Sequence, residues 1–448
     1  MRYLPYEKYK TAKTDLIGDI PDHWEEWKAS HGFGQIGSGT TPKSDNSAYY
    51  GGETLWVTTS ELRETYVFDT AIKVTDEALA GHSALKQYPI DSVVIAMYGA
   101  TIGRLGMLGK SASVNQACCV YAQPEKFHPR FFYFWLWMRR PILISLSSGG
   151  GQPNLNQEEL KRIRVPIPPL GEQEKIAAFL DWKTGQIDAL IAKKQALIEK
   201  LKEKRLAAIT QAVTKGLDPA MPMRDSGISW LGKVPASWRV KRLRYCAGTV
   251  TSGSRGWAEF FSESGALFLR ITNLDRESIS MKLDDLQRVK PPDGAEGART
   301  LTKAGDLLIS ITADLGSVAV IPEDFESAYI SQHLSLVRLD SDDIDPNWIA
   351  YSILSLAGKY QLNTAGYGGT KIQLSLSDIK DITFCHPATL DEQQSVLRVV
   401  QKEIKRNNKL IELAEEAIGR LTEYRTALIT AATTGQIDVR NVAIPAQA

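Results

Sequence analysis

The chain is expected to be an α+β protein: two similar globular domains, each followed by a long helix. The two helices are expected to pair as an antiparallel intrachain coiled coil with pseudo-twofold symmetry. Two observations predict this. Short signatures return after about 215 to 220 residues, far beyond the ~20–50 residues of solenoid repeats. Each β-type region also gives way to a long proline-free stretch with heptad apolar spacing. Gly18-Asp19-Ile20-Pro21-Asp22-His23-Trp24 returns as Gly232-Lys233-Val234-Pro235-Ala236-Ser237-Trp238. Glu172-Gln173 returns as Glu392-Gln393, and the run Glu203 to Thr210 returns as Glu423 to Thr430.

Residues 1–20 form an N-terminal segment without the apolar run of a secretion signal. The first domain spans 21–170 and is rich in short β-type runs and glycine turns. Leu55 to Thr59 and Ser92 to Met97 read as strands, and the aromatic run Phe131 to Met138 as a core helix. Gly149-Gly150-Gly151-Gln152-Pro153 is a loop, and Pro166-Ile167-Pro168-Pro169 forbids helix and marks a rigid junction. The long helix over 171–215 has its seam at Ile187, Leu190/Ile191, Leu197/Ile198, Leu201 and Ala208. Unbroken, it would be ~65 Å long; Gly185 is where it would break. Its Lys193, Lys194, Lys200, Lys202, Lys204 and Arg205 read first as a solvated face, the alternative being a surface that docks an acidic partner or passes near phosphates.

A linker, 216–233, leads to the second domain, 234–389. There Leu267 to Thr272 and Asp306 to Ile311 match the two earlier strands, and Tyr367-Gly368-Gly369-Thr370 stands at the first glycine loop's place. The second helix, 390–434, has its seam at Leu410/Ile411, Ala414, Ala417/Ile418, Leu421, Tyr424 and Leu428, and 435–448 is a tail. Each apolar seam would cost ~25 cal/mol per Å² if left in water, so the helices are expected to pair with each other.

With 448 residues the chain has room for two or three cores. A net charge of +1 gives no global attraction to polyanions, so any such binding must come from local patches. The four cysteines form no C-x-x-C pair and read as buried free thiols in a reducing cytoplasm. No apolar run approaches the ~20 residues of a membrane span. The six histidines are scattered, without paired metal spacing. Gly103 to Ser111 resembles a phosphate loop but is one residue too long. Lys290-Pro291-Pro292-Asp293 lacks the polar and aromatic flanks of an adenine-methyltransferase loop. No catalytic residue, metal ligand or cofactor site is therefore assigned. The duplicated layout favours a binding protein over an enzyme with an unrecognised active site or a scaffold bridging two proteins.

Together the motifs carry a resemblance. They are Gly18-x-Ile20-Pro21-x-x-Trp24 and its copy, Gly39-Thr40-Thr41-Pro42, Ala100-Thr101-Ile102-Gly103-Arg104, Asn115-Gln116-Ala117, Gly151-Gln152-Pro153-Asn154-Leu155, Pro166 to Leu170 with Glu172-Gln173, and the duplicated helix ends. In this order they resemble the specificity subunits of type I restriction-modification enzymes, over essentially the whole chain. The resemblance implies two target-recognition domains, each reading half of a split, asymmetric sequence in double-stranded DNA. The helices would set the unread spacer and dock two methyltransferase subunits, which carry S-adenosylmethionine, and restriction subunits would join them. Half-sites read from one side lie about one helical turn, ~34 Å, apart.

Bases are read by hydrogen bonds to their edges, and glycine-flanked loops let the backbone come close. The DNA-contact candidates in the first domain are Thr40, Thr41, Lys43, Thr58, Ser60, Tyr98, Thr101, Arg104, Gln152 and Asn154. In the second they are Ser254, Arg255, Arg270, Thr272, Asn273, Tyr367, Thr370 and Lys371. The second domain departs from the pattern: Thr251 to Gly256 lacks the Thr-Pro pair, and Thr312 to Ser317 replaces Ala-Thr-Ile-Gly-Arg.

Overall fold

The computed structural model describes residues 3–13, 17–145, 154–291, 295–366 and 372–445. They form two compact units, 1–193 with 416–448, and 194–415. Each unit holds one end of both long helices, Leu170–Lys215 and Leu390–Thr433.

In the first unit a five-stranded sheet has the order Phe33–Ser38, Cys118–Pro124, Val93–Ala96, Leu105–Leu108, Tyr66–Val67. Side chains alternate across a strand, and here the alternation sorts two cores. Val93, Ile95, Cys119 and Tyr121 face an aromatic layer containing Phe131, Phe132 and Trp135 of the helix Pro129–Ser145. Val94, Ala96, Cys118 and Val120 face the other way, toward Leu55, Val57, Ala112 and Val114 of a three-stranded sheet. That second sheet pairs Tyr50–Val57 parallel with Ala112–Val114 and antiparallel with Lys73–Val74.

The second unit repeats this plan. Ala247–Ser252, Leu334–Leu339, Leu307–Ser310 and Val318–Val320 form one sheet. Ala266–Leu269 pairs parallel with Ala328–Ile330 and antiparallel with Arg288–Val289 in the other. Leu307 and Ile309 face the core that holds Trp348, whereas Leu308 and Leu336 face Leu267, Leu269 and Ile330.

The repeated sequence signatures do the same local work twice. Trp24 donates from its indole to Glu172 Oε1 at 3.0 Å, and Trp238 donates to Glu392 Oε1 at 3.0 Å. Gln173 accepts from the His128 N–H (2.7 Å) and donates to the Lys126 and Pro168 carbonyls (3.0 and 2.9 Å). Gln393 accepts from the Asp345 N–H (2.9 Å) and donates to the Asp343 and Pro387 carbonyls (2.9 and 3.2 Å). Each glutamine thus pins the start of a long helix to the loop that launches an apolar helix. Both long helices end before a glycine at positive φ, Gly216 (+76°) and Gly435 (+75°), the usual left-handed stop.

Within each unit the two helix segments run antiparallel. In the second, Arg205 donates to Asn408 Oδ1 at 2.7 Å, while Val213 shares a core with Val396 and Val400. In the first, Arg425 donates to Asp188 Oδ1 at 2.9 Å and lies 5.0 Å from the Trp137 ring centre, and Ile187 shares a core with Leu428.

Three details differ from the sequence expectation. The helix runs through Gly185 without a break; that position is exposed and nothing packs on it. The seam is narrower than drawn: Ile187, Ile198, Leu201, Ala414 and Leu428 are buried, but Leu190, Leu197, Leu410 and Tyr424 are 42 to 49% exposed. At Leu190/Ile191, Leu197/Ile198 and Leu410/Ile411 the second residue is the one turned inward, because a 100° step per residue puts the first on the flank, whereas Ala417 and Ile418 are both half-buried. Arg205 leaves the solvated lysine face: it is buried and also pairs with Glu277 at 2.5 Å.

Candidate nucleic-acid interface

In the first unit, strands ending at Ser38, Val57, Ala96 and Val114 deliver their loops to one edge. Backbone bonds tie those loops together: Gly39 N–H to Asn115 O, Asn115 N–H to Val57 O, Met97 N–H to Ala117 O and Leu155 N–H to Met97 O. Tyr98 and Asn154 pair across the same edge. Gly39 has to be glycine, since a Cβ there would come 1.6 Å from the Val114 carbonyl oxygen.

This edge brings Thr40, Thr41, Thr58, Ser60, Tyr98, Thr101, Arg104 and Asn154 onto one cluster of loops, with Lys43 exposed beyond Pro42. The Thr41 hydroxyl donates to Gln116 Oε1 at 2.5 Å, and the Thr58 and Ser60 hydroxyls lie 2.7 Å apart. Thr40 turns its carbonyl to the Trp56 indole (3.2 Å). Burial, and then Cys118, push the Tyr98 phenol upward, so it stays a neutral donor. Lys43 and Arg104 are exposed and make no ion pair among the described residues, which leaves both cations available to phosphates.

The second unit builds the same edge. Gly253 takes the place of Gly39, where a Cβ would meet the Ile330 and Ser331 carbonyl oxygens at 2.2 Å. Ser254 bridges to Ser331, and Thr312 to Gln373. Arg255 and Thr272 are exposed here. Three other candidates are engaged within the chain. Ser254 is buried with its hydroxyl 3.2 Å from that of Thr300. Asn273 is buried and donates to the Lys282 and Asp285 carbonyls (3.0 and 2.9 Å). Arg270 is half-buried and paired with Asp285 at 2.9 Å. Gln152, Tyr367, Thr370 and Lys371 lie outside the described residues.

The structure adds residues that sequence reasoning did not nominate: Gln116 in the first unit, and Thr312, Gln332, His333 and Gln373 in the second. Gln116 belonged to a quoted motif, and its exposure was the missing fact. Thr312 stood in the stretch that replaces Ala-Thr-Ile-Gly-Arg, but Gln332, His333 and Gln373 had no signal, because the second unit's loops keep the scaffold while changing nearly every side chain.

No group of three or more His, Cys, Asp or Glu side chains among the described residues could hold a metal ion. No helix among them is long and apolar enough to cross a membrane. All four cysteines are free and buried.

Two copies of one scaffold, each presenting a different polar loop edge, define a two-headed binding protein. The family described as the type I restriction modification DNA specificity domain matches residues 21–202 and 297–418. That is more than half of the chain, and the protein belongs to this family. The type I restriction enzyme MjaVIII specificity subunit of Methanocaldococcus jannaschii is 22% identical over 79% of this chain and 80% of its own length. The StySPI specificity subunit of Salmonella potsdam is 23% identical, covering 94% and 90%. A solved chain from work on complex assembly and conformational transition of the type I R-M system has a TM-score of 0.72 at 15% identity, covering 93% of this chain and 99% of that one. The HsdS subunit of Thermoanaerobacter tengcongensis gives 0.52 at 16%, covering 93% and 98%. These structures share its fold.

Proposed function

We propose that this specificity subunit is a non-catalytic, cytoplasmic reader of double-stranded DNA. Each unit reads one half of a split, asymmetric target through its loop edge. The long helices set the unread spacer and dock two methyltransferase subunits, which bind S-adenosylmethionine and modify adenine; restriction subunits complete the assembly. This chain itself binds no cofactor. One observation carries the reading: the same edge of the same scaffold occurs twice with different polar side chains, as two unlike half-sites require. Exposed Leu190, Leu197, Leu410, Leu413 and Tyr424 on the long helices give a partner apolar surface to cover.

The test is reconstitution with the methyltransferase subunits of the same system, followed by mapping of methylated adenines on random duplex DNA. One split motif that depends on this chain is expected, with no methyl transfer by the chain alone. Transfer by the isolated chain, or methylation without sequence preference, refutes the proposal.

A further inference from the structure

We infer that Gln332, His333 and Thr312 form the base-reading element of the second unit, and that Gln116 with Thr41 is its counterpart in the first. The inference rests on the function proposed above. Gln116 and Gln332 hold the same place in the scaffold: each lies two residues beyond the strand that pairs parallel in the smaller sheet, after Val114 and Ile330. Both are exposed at the loop edge. Each is held by a side chain at that edge, which restrains the amide and lowers the entropy lost on meeting a base.

The restraints have opposite polarity when the His333 ring proton sits on Nδ1. In the first unit the Thr41 hydroxyl occupies one lone pair of the Gln116 carbonyl oxygen at 2.5 Å, so the amide NH₂ keeps its protons for an outside acceptor. In the second, Gln332 Nε2 lies 3.4 Å from His333 Nε2, and His333 Nδ1 lies 2.9 Å from Thr312 Oγ1. With the ring proton on Nδ1, Gln332 donates to the imidazole, the imidazole donates to Thr312, and the Gln332 carbonyl oxygen is left outward.

A major-groove donor meets the N7 or O6 of guanine, the N7 of adenine or the O4 of thymine. An acceptor meets the exocyclic amino group of adenine or cytosine. The first unit's glutamine is therefore set to read a ring-nitrogen or keto acceptor, and the second unit's an amino donor. Thr312 adds an O–H donor beside the second glutamine. One scaffold thus reads two different bases through the same residue type, the choice being made by which end of the amide a neighbour occupies.

The test uses the complete complex with its methyltransferase subunits and a library of split duplex sites. Gln332→Leu and His333→Ala are expected to relax one base position in the half-site read by the second unit by roughly 5- to 150-fold, leaving the other half-site and assembly unchanged. Gln116→Leu should relax a position in the opposite half-site. An unchanged motif in Gln332→Leu, or relaxation falling in the same half-site for both glutamines, overturns the inference while the proposed function stands. A wild-type complex without any split motif overturns both.

Discussion

Removing the Gln393 side chain tests how the duplicated Glu-Gln pair builds each unit. Gln393 is fully buried and makes three hydrogen bonds, one accepted from the Asp345 N–H and two donated to the Asp343 and Pro387 carbonyls. A buried hydrogen bond contributes about 1 kcal/mol net, and an orphaned donor costs ~1–3 kcal/mol. Gln393→Ala should therefore destabilise the second unit by about 2–4 kcal/mol. Asp345 also caps the helix Pro346–Leu354 by accepting from the Asn347 N–H at 2.8 Å, so the loss should appear first at that helix start. Gln173→Ala removes the same three bonds from the first unit and should cost a similar amount. The two side chains lie in separate compact units, so the losses should add within about 0.5 kcal/mol. Gln393→Glu keeps the acceptor but sets a carboxylate oxygen against two carbonyl oxygens, and should be at least as damaging at neutral pH. Hydrogen exchange read on peptides covering 126–135 and 343–351 measures this. Protection should fall roughly 30- to 800-fold in the mutated unit, at 1.4 kcal/mol per decade. A change under about fivefold, or Gln393→Glu behaving as wild type, would refute the reasoning.

Three further outcomes are expected. Asn407 is buried in the helix seam with both polar atoms lacking a partner, so Asn407→Leu should stabilise the second unit by about 1–3 kcal/mol in chemical unfolding. Alanine at Gly435 would place a Cβ 2.3 Å from Pro21 Cδ, whereas at Gly216 the nearest atom is 3.4 Å away; Gly216→Ala should cost about 1 kcal/mol from its positive φ alone, and thermal melts should show Gly435→Ala losing clearly more. Burial pushes the Cys119 and Cys385 thiols up to about 12 and holds the His386 imidazole below its ordinary value. The thiol contribution to stability is full below pH ~9 and is lost as pH rises toward about 12; the histidine contribution is full above pH ~6.5 and is lost as pH falls below it. Urea midpoints across pH should follow that plateau, and the thiols should resist iodoacetamide until the protein unfolds.

Much of the architecture was legible in the sequence. Trp24 and Trp238, Glu172 and Glu392, and Gln173 and Gln393 repeat because they make repeated contacts, and their spacing alone pointed to duplication. The described glycine-flanked loops of the first unit, after Gly39 and after Gly99, also came out on one edge, because Gly39 marks where backbone meets backbone. Seam width was not legible, since a doublet such as Leu197-Ile198 looks equally apolar at both positions and only the helix phase decides which turns inward. Nor was the second edge. Asn273 and Ser254 look like solvent-facing polar residues in sequence but satisfy buried groups of their own unit, while Gln332 and His333 carry no local signal. Scaffold contacts constrain residue type, and a reading surface constrains only exposure, which depends on neighbours distant in the chain.

The division of the chain also sets an order of assembly during synthesis. The second unit is one continuous stretch, 194–415, whereas the first needs residues 416–448 as well as 1–193. Asp438 donates to the Leu4 carbonyl, the Tyr9 hydroxyl to that of Gly435, and Arg440 lies over Tyr6. Translation adds ~5–20 residues per second, so the half made first waits on the order of 10 to 40 s for its closing piece while the half made later can finish. During that interval the aromatic layer around Trp24 and Phe131 lacks part of its cover, and a nascent chain stalled near residue 400 leaves the ribosome with its older half incomplete.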